Sequence, residues 1–513
     1  MNNWIIVPAL LPAFTAAFLL LTLRHRPEAQ RVVSLIATVL GLMVAIGLAV
    51  EAADGVPQAY RLGNWPAPFG IVLVLDRLSA TMLVLTGVLG VCVALYAAAD
   101  WDRRGQHFHP LLQFQLLGIN GAFLTGDVFN LFVFFEVMLI ASYGLMLHGG
   151  GRERLKAGFQ YVAINLIAST LFLIGVGLIY SVTGTLNMAD LAMKIPDVAL
   201  ADQGLLKAGA LLLFLVFATK AALVPLHWWL PATYASTSPP AAAIFMIMTK
   251  VGAYAILRVY GLVFGAEAGA MAFVAAPFVL PAALATLLLG TIGLLGSRDL
   301  KSLSAFAIVA SMGTLLIALG LFDVTGVSSA LYYVVHSTLA GAALFLLAGL
   351  IADGRGVTED RLVPAPAMHG EILIGGLYLL AAIAMVGLPP LSGFLGKVMI
   401  LEATRVSSIW PWIWALILGT SLVMTLGFVR AGSTLFWSSR PPEETRAEDL
   451  PASTQAVPVI AVIILLALTG AWTAAAGPAM MWMEATARQS LDRDAYVEAV
   501  LGRHNVRTAG LEE

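Results

Sequence analysis

Cysteine is almost absent from this chain of 513 residues, with Cys92 standing alone. That excludes an intrachain disulfide, a thiolate-held iron–sulfur cluster and CxxC redox chemistry, so any electron transfer coupled to the chain takes place in another subunit. Charge is the second scarcity. Asp, Glu, Lys and Arg make up 11% of the residues, against about 25% in soluble domains. A net charge of -2 offers no basic face for nucleic acid and no reason to expect an acidic substrate. No glycine-rich phosphate loop follows a strand, and the glycine pairs read as small-residue helix packing. Neither a cofactor site nor a metal-ligating cluster is expected. Met1 to Leu23 lacks a basic n-region and its basic residues follow it, so it reads as a first spanning segment and not as a signal peptide.

What is there is apolar. Hydrophobic residues reach 60% and the mean hydropathy is +0.90. A spanning helix needs about 20 such residues, and about fourteen segments qualify, leaving room for no soluble domain. The expected fold is all-α, a polytopic membrane bundle. Its helices fall near 4–23, 31–50, 71–99, 110–126, 127–148, 157–182, 205–239, 240–263, 270–296, 299–320, 327–352, 371–405, 409–437 and 455–480. Leu186 to Met193 reads as a short surface helix, as does the segment around Leu491, Tyr496, Val497 and Val500.

Basic residues gather in the odd-numbered connections, among them Arg24, Arg26, Arg103, Arg104, Arg152, Arg154, Lys156, Arg298, Lys301, Arg440 and Arg446. The even-numbered connections hold only Arg61, Lys194 and Arg405. This bias places the odd connections in the cytoplasm and both termini outside. The tail, with Arg488, Arg493, Arg503 and Arg507, runs against the bias.

Charge inside the spanning segments is costly, about 2.5–3.5 kcal/mol per residue on the lenient insertion scale, and marks ion paths. Lys220 precedes Pro225 in the 205–239 segment, and Lys397 follows Pro389 and Pro390 in 371–405. Proline removes a helical hydrogen bond, so both segments are expected to break, which is tolerated at membrane depth only inside protein or along a cavity. Glu136 lies among phenylalanines in NLFVFFEVMLIASY and needs a partner; Lys220 is the expected one, as a coupling pair or as a structural ion pair. Lys250 has no acidic neighbour in sequence. Burial disfavours its charge, and a lysine that exchanges between charged and neutral forms is a proton carrier. His336 is suited to shuttling between Lys250 and Lys397. Lys207, Arg258 and Arg430 lie near helix ends and read as snorkelling, Asp76 and Arg77 as an outer-surface pair, and His227 as an interface or core residue. Glu402 reads as either an exit group or a solvated helix end.

No residue-level repeat is visible, but the two lysine-bearing breaks lie five helices apart. An odd offset reverses membrane direction, which predicts two inverted five-helix repeats with two broken helices. The organisation expected is 1–109 as N-terminal helices, 110–263 and 264–437 as the repeats, and 438–513 as a last helix and tail.

At these residues the sequence resembles a known family across nearly its whole length: the antiporter-like subunits of respiratory complex I, membrane-bound hydrogenases and Mrp-type cation/proton antiporters. The segments that carry the resemblance are NLFVFFEVMLIASY, TKAALVPLHWWLPATYASTSPP, TKVGAYAILR, the histidine at 336 and GLPPLSGFLGK. The resemblance implies Glu136 and Lys220 as the coupling pair, Lys250 as central relay, His336 as bridge and Lys397 as terminal lysine. Lys397 departs from one complex I branch that has glutamate there, and the wording around Glu136 and Lys250 is most similar to the Mrp branch. That branch implies a bacterial inner-membrane assembly with partner subunits A, B, C, E, F and G. It also implies membrane lipid around the bundle, with protons and sodium or potassium as the ions moved. The rival is a proton-pumping subunit of a quinone oxidoreductase or hydrogenase complex.

Overall fold

The computed structural model describes residues 2–438 and 456–502. Arg440, Arg446, Arg503 and Arg507 of the charge argument lie outside them. In chain order the apolar runs form α1 Val7–Thr22, α2 Pro27–Glu51, α3 Arg77–Ala97, α4 Phe108–Leu124, α5 Val128–Leu147 and α6 Arg152–Thr183. There follow α7 Met188–Lys194, α8 Gln203–Lys220, α9 Trp229–Ser236, α10 Pro239–Leu257, α11 Ala276–Gly296, α12 Leu300–Leu319 and α13 Val324–Gly354. The last are α14 Glu371–Val386, α15 Ser392–Ala403, α16 Trp410–Gly432, α17 Ala456–Ala474, α18 Ala476–Leu491 and α19 Arg493–Leu501. Among the described residues, 12 helices are long and apolar enough to cross a membrane. The chain is a polytopic helical protein. α10 is buried along its whole length and α13 from Gly326 to Ile351, and the two form the axis around which the other helices pack.

Both predicted breaks are present. α8 stops at Lys220 and resumes as α9, and α14 stops at Val386 and resumes as α15. The ends precede Pro225 and Pro389 by a few residues, as expected where proline lacks an N–H and the residue before it avoids helical angles. Gly387 closes α14 in the left-handed region, φ 79°.

Two helix pairs are built alike. Asp127 caps α5 by accepting from the Asn130 N–H at 2.8 Å, and Asp299 caps α12 by accepting from the Ser302 N–H at 2.7 Å. A methyl group added at Gly118 of α4 would strike the backbone of Met138, and one at Gly121 the ring of Phe134. Gly290 and Gly293 of α11 stand in the same relation to Ala310 and Phe306 of α12. Only glycine allows these close approaches.

The start of the 71–99 segment is corrected. Val72–Leu75 is a strand paired antiparallel with Gln58–Arg61, register Gln58 to Leu75, because VLVL is a short β-prone run. The helix begins only after Asp76, whose side chain accepts from the Ser79 N–H while Ser79 Oγ accepts from the Asp76 N–H, a capping box.

The tail differs from expectation too. Helix continues to Leu491 through α18, which packs on α13 and α3. α19 forms where its spacing predicted, but it buries Tyr496, Val497 and Val500 against α7 and the hairpin. α7 is likewise no surface helix, since Met188 to Ala192 are buried. Gln489 donates to Gly55 O at 2.9 Å and accepts from the Arg77 N–H at 2.8 Å, so the tail lies on the same face as the even-numbered connections. There Arg493 is paired with Glu267 and with Asp494.

Asp76 does not pair with Arg77, and Arg258 does not snorkel. Arg258, where α10 passes into a wide π-turn, meets Asp76 at 2.7 Å, both buried. Tyr254 OH lies 3.2 Å from the guanidinium, and the Tyr496 ring covers it at 5.4 Å. Removing one partner of such a pair costs about 3–5 kcal/mol because the other charge is left buried. Arg258→Leu is therefore expected to lower the melting temperature of the purified protein far more than Arg77→Leu; equal melting temperatures would show that the pair is dispensable.

Candidate functional site

Three lysines and a histidine lie in the interior around the two breaks. Lys220, Lys250, His336 and Lys397 are 5%, 1%, 1% and 7% exposed. Lys220 is the last residue of α8, so its ammonium sits at the negative end of a half-helix dipole. It donates to Asn165 Oδ1 of α6 at 2.6 Å. Glu136 is half-buried on α5, accepts from Ser169 Oγ of the same α6, and lies within electrostatic reach of Lys220. No direct ion pair joins Glu136 to Lys220 among the described residues. Asn165 and Ser169, one helical turn apart, stand between them instead.

The break beyond Lys220 is held in place by side chains. Trp229 Nε1 donates to the Thr219 carbonyl at 3.0 Å, and Thr286 Oγ1 of α11 accepts from the Val224 N–H at 2.9 Å. These satisfy backbone groups that the break releases. His227, in the break, is partly buried. Gly252 of α10 faces the backbone of Lys220 and Ala221 so closely that a methyl group there would collide with it. Glycine thus brings the end of α8 onto α10, two residues from Lys250. Among the described residues Lys250 itself makes a single weak hydrogen bond, to Thr249 Oγ1 at 3.4 Å.

On α13, His336 Nδ1 is 2.9 Å from Ser392 Oγ, the first residue of α15. Its ring lies within electrostatic reach of both Lys397 and Lys250. Lys397 Nζ donates to Val386 O at 2.7 Å and to Ser421 Oγ of α16 at 2.7 Å. Val386 is the last residue of α14, so this lysine caps an orphan carbonyl of a half-helix. Lysine precedes the break in one segment and follows it in the other, yet both ammonium groups end at the C-terminus of the first half-helix.

Asn165, Ser169, Ser392, Ser421 and Gly252 are the site residues that sequence reasoning missed. The spacing of Asn165 and Ser169 by four in an apolar helix was the available signal. Glu402 pairs with Arg405 at 3.2 Å, both exposed, which is the solvated helix end of the two readings.

A bundle whose interrupted helices carry ammonium groups into its interior has the construction of a membrane transport protein. The chain belongs to the family described as NADH:quinone oxidoreductase/Mrp antiporter, transmembrane, which matches residues 125–425. It is 39% identical to the D subunit of a probable K(+)/H(+) antiporter of Rhizobium meliloti, covering 98% of each chain. It is 37% identical to the D subunit of the Na(+)/H(+) antiporter of Alkalihalophilus pseudofirmus, covering 98% of this chain and 100% of that one. The structure superposes on a chain of the Mrp complex from Dietzia sp. with TM-score 0.86 and 27% identity, over 98% of this chain and 100% of that one. Respiratory complex I from Thermus thermophilus, at 23% identity and TM-score 0.74 over 94% of this chain and 99% of that one, shares the fold alone.

Proposed function

We propose that the chain is the proton-conducting D-type subunit of a multisubunit monovalent cation/proton antiporter, a transporter subunit and not an enzyme. The observation that carries this reading is the series Glu136, Lys220, Lys250, His336, Lys397 running through a buried core beside two helix breaks. Each group hands a proton to the next through intervening water, and Asn165 and Ser169 set the spacing of the first pair. Relatives that match over their full length and are D subunits of such antiporters support the assignment.

The reading includes fourteen crossings: the twelve long helices, α4 and the broken α14–α15. It also includes two inverted repeats over 110–263 and 264–437, flanked by 1–109 and 438–513. The matched caps and glycine contacts of α4–α5 and α11–α12 support the repeat. Subunits A, B, C, E, F and G are the partners, the site is the bacterial inner membrane, and both termini lie outside.

The test is dissipation of a pH gradient by added sodium or potassium in everted vesicles lacking other antiporters, with partners identified after mild-detergent purification. Recovery of iron–sulfur or flavin subunits in place of small membrane proteins would transfer the chain to a redox complex. Within this assay Lys397→Ala is expected to lose most exchange, while Lys397→Glu keeps a measurable part, because a protonated carboxyl still donates to Val386 O. Equal loss in both variants would show that the positive charge itself is needed.

A further inference from the structure

On the face of the odd-numbered connections, two helix N-termini without side-chain caps converge: that of α2 at Arg26–Pro27 and that of α4 at His107–Phe108. Free N–H groups and the positive end of the dipole make each a place for an anion. Between them is a cavity of about 330 Å³ whose wall includes Arg24, His25, Arg103, His107 and His109. Its one carboxylate, Asp102, is already engaged: Arg31 grips it at 2.8 and 2.9 Å and His109 Nε2 lies at 3.1 Å. Burial opposes its ionisation, but the bonds from His109 and Arg31 outweigh that and hold it at about 2. His109 is buried, and its other ring nitrogen, Nδ1, has no hydrogen-bond partner among the described residues. A second groove of about 650 Å³ adjoins the cavity through Gly105, Gln106 and His107 and continues between α1, α4 and α5 along Leu20, Leu111, Phe114 and Leu147.

We propose that this composite site holds one anionic phospholipid, its phosphate in the basic cavity and an acyl chain in the groove. Arg24 and the helix N–H groups face the phosphate, while Arg103 also meets Glu28 at 3.1 Å, and a phosphate oxygen accepts from His109 Nδ1 in the ring form that carries hydrogen on both nitrogens. The groove explains a lipid in preference to free phosphate, since an inorganic ion leaves it unused. The basic connections on this face attract anionic headgroups in the same way.

The experiment uses the full chain in its purified complex. Native mass spectrometry counts phosphatidylglycerol and phosphatidylcholine retained after exchange into nanodiscs of equal parts of the two, for wild type, Arg24→Gln/His107→Gln and Leu147→Gln. Wild type is expected to retain phosphatidylglycerol with a roughly tenfold preference, the double variant to lose the preference, and Leu147→Gln to weaken retention of both lipids. A wild type without preference, or a double variant that keeps it, overturns the proposal. So does displacement of the lipid by millimolar inorganic phosphate, which would make the cavity a free-anion site. A partner subunit retained by wild type and lost with the double variant, with lipid unchanged, would assign the surface to protein.

Discussion

Exchange by a complex carrying Lys250→Met is expected to fall on the order of 100-fold, the low end of what a positioned proton-transfer group contributes, while the protein becomes no less stable. Both halves follow from the surroundings of Lys250. It lies at the centre of a wholly buried helix, and among the described residues its one hydrogen-bond partner is Thr249 Oγ1 at 3.4 Å. A buried charge without a partner costs free energy, and methionine fills nearly the same volume without that cost. A residue kept for stability would show the opposite. The measurement is a pair of numbers from one preparation: the gradient-dissipation rate in everted vesicles and the melting temperature of the purified complex. Normal exchange by the variant would remove Lys250 from the path, and a large fall in melting temperature would make it a structural residue.

The second large effect belongs to Glu136. Its carboxylate meets Ser169 and the Lys220 ammonium meets Asn165 one turn along the same face of α6, and the balance between charged and neutral amine depends on such a neighbouring charge. A shift of about 1.4 kcal/mol in that balance changes the ratio of charged to neutral lysine tenfold. Glu136→Gln keeps the shape and the bond from Ser169, removes the charge, and is expected to lower exchange at least tenfold. Glu136→Asp, with the charge on a shorter arm, should keep part of it. Asn165→Leu is the informative companion, since it leaves Glu136 charged but takes away the 2.6 Å bond that fixes Lys220. If Glu136→Gln assembles on a native gel and exchanges at the wild-type rate, the pair serves packing only.

The charged members of the site were legible because charge in an apolar helix has few explanations. The uncharged members were not. Serine and threonine in such helices commonly satisfy themselves on their own backbone, as Thr38, Thr86 and Thr291 do with the carbonyl four residues back. Nothing in sequence separates these from Ser169 or Ser392, which reach across to another helix, or from Ser421, which donates to its own Ile417 carbonyl and accepts from Lys397 as well. Asp76 and Arg258 were misread for a related reason: each lies at the end of an apolar run, where local sequence suggests solvent, and their partnership is tertiary. The residue-level likeness of α4–α5 to α11–α12 went unseen because its spacing along the chain differs from that between Pro225 and Pro390. Loop lengths interrupt the register.

The corner where Gln489 joins Gly55 and Arg77, and Tyr496 covers Arg258, has a consequence for how the molecule comes into being. Translation runs from the N-terminus, so the hairpin, the start of α3 and the end of α10 emerge long before the helix that completes them. Until then the guanidinium of Arg258 has the Tyr254 ring but lacks that of Tyr496, and the Gly55 carbonyl lacks its donor. That corner reaches its final form only when the last described helix has left the ribosome.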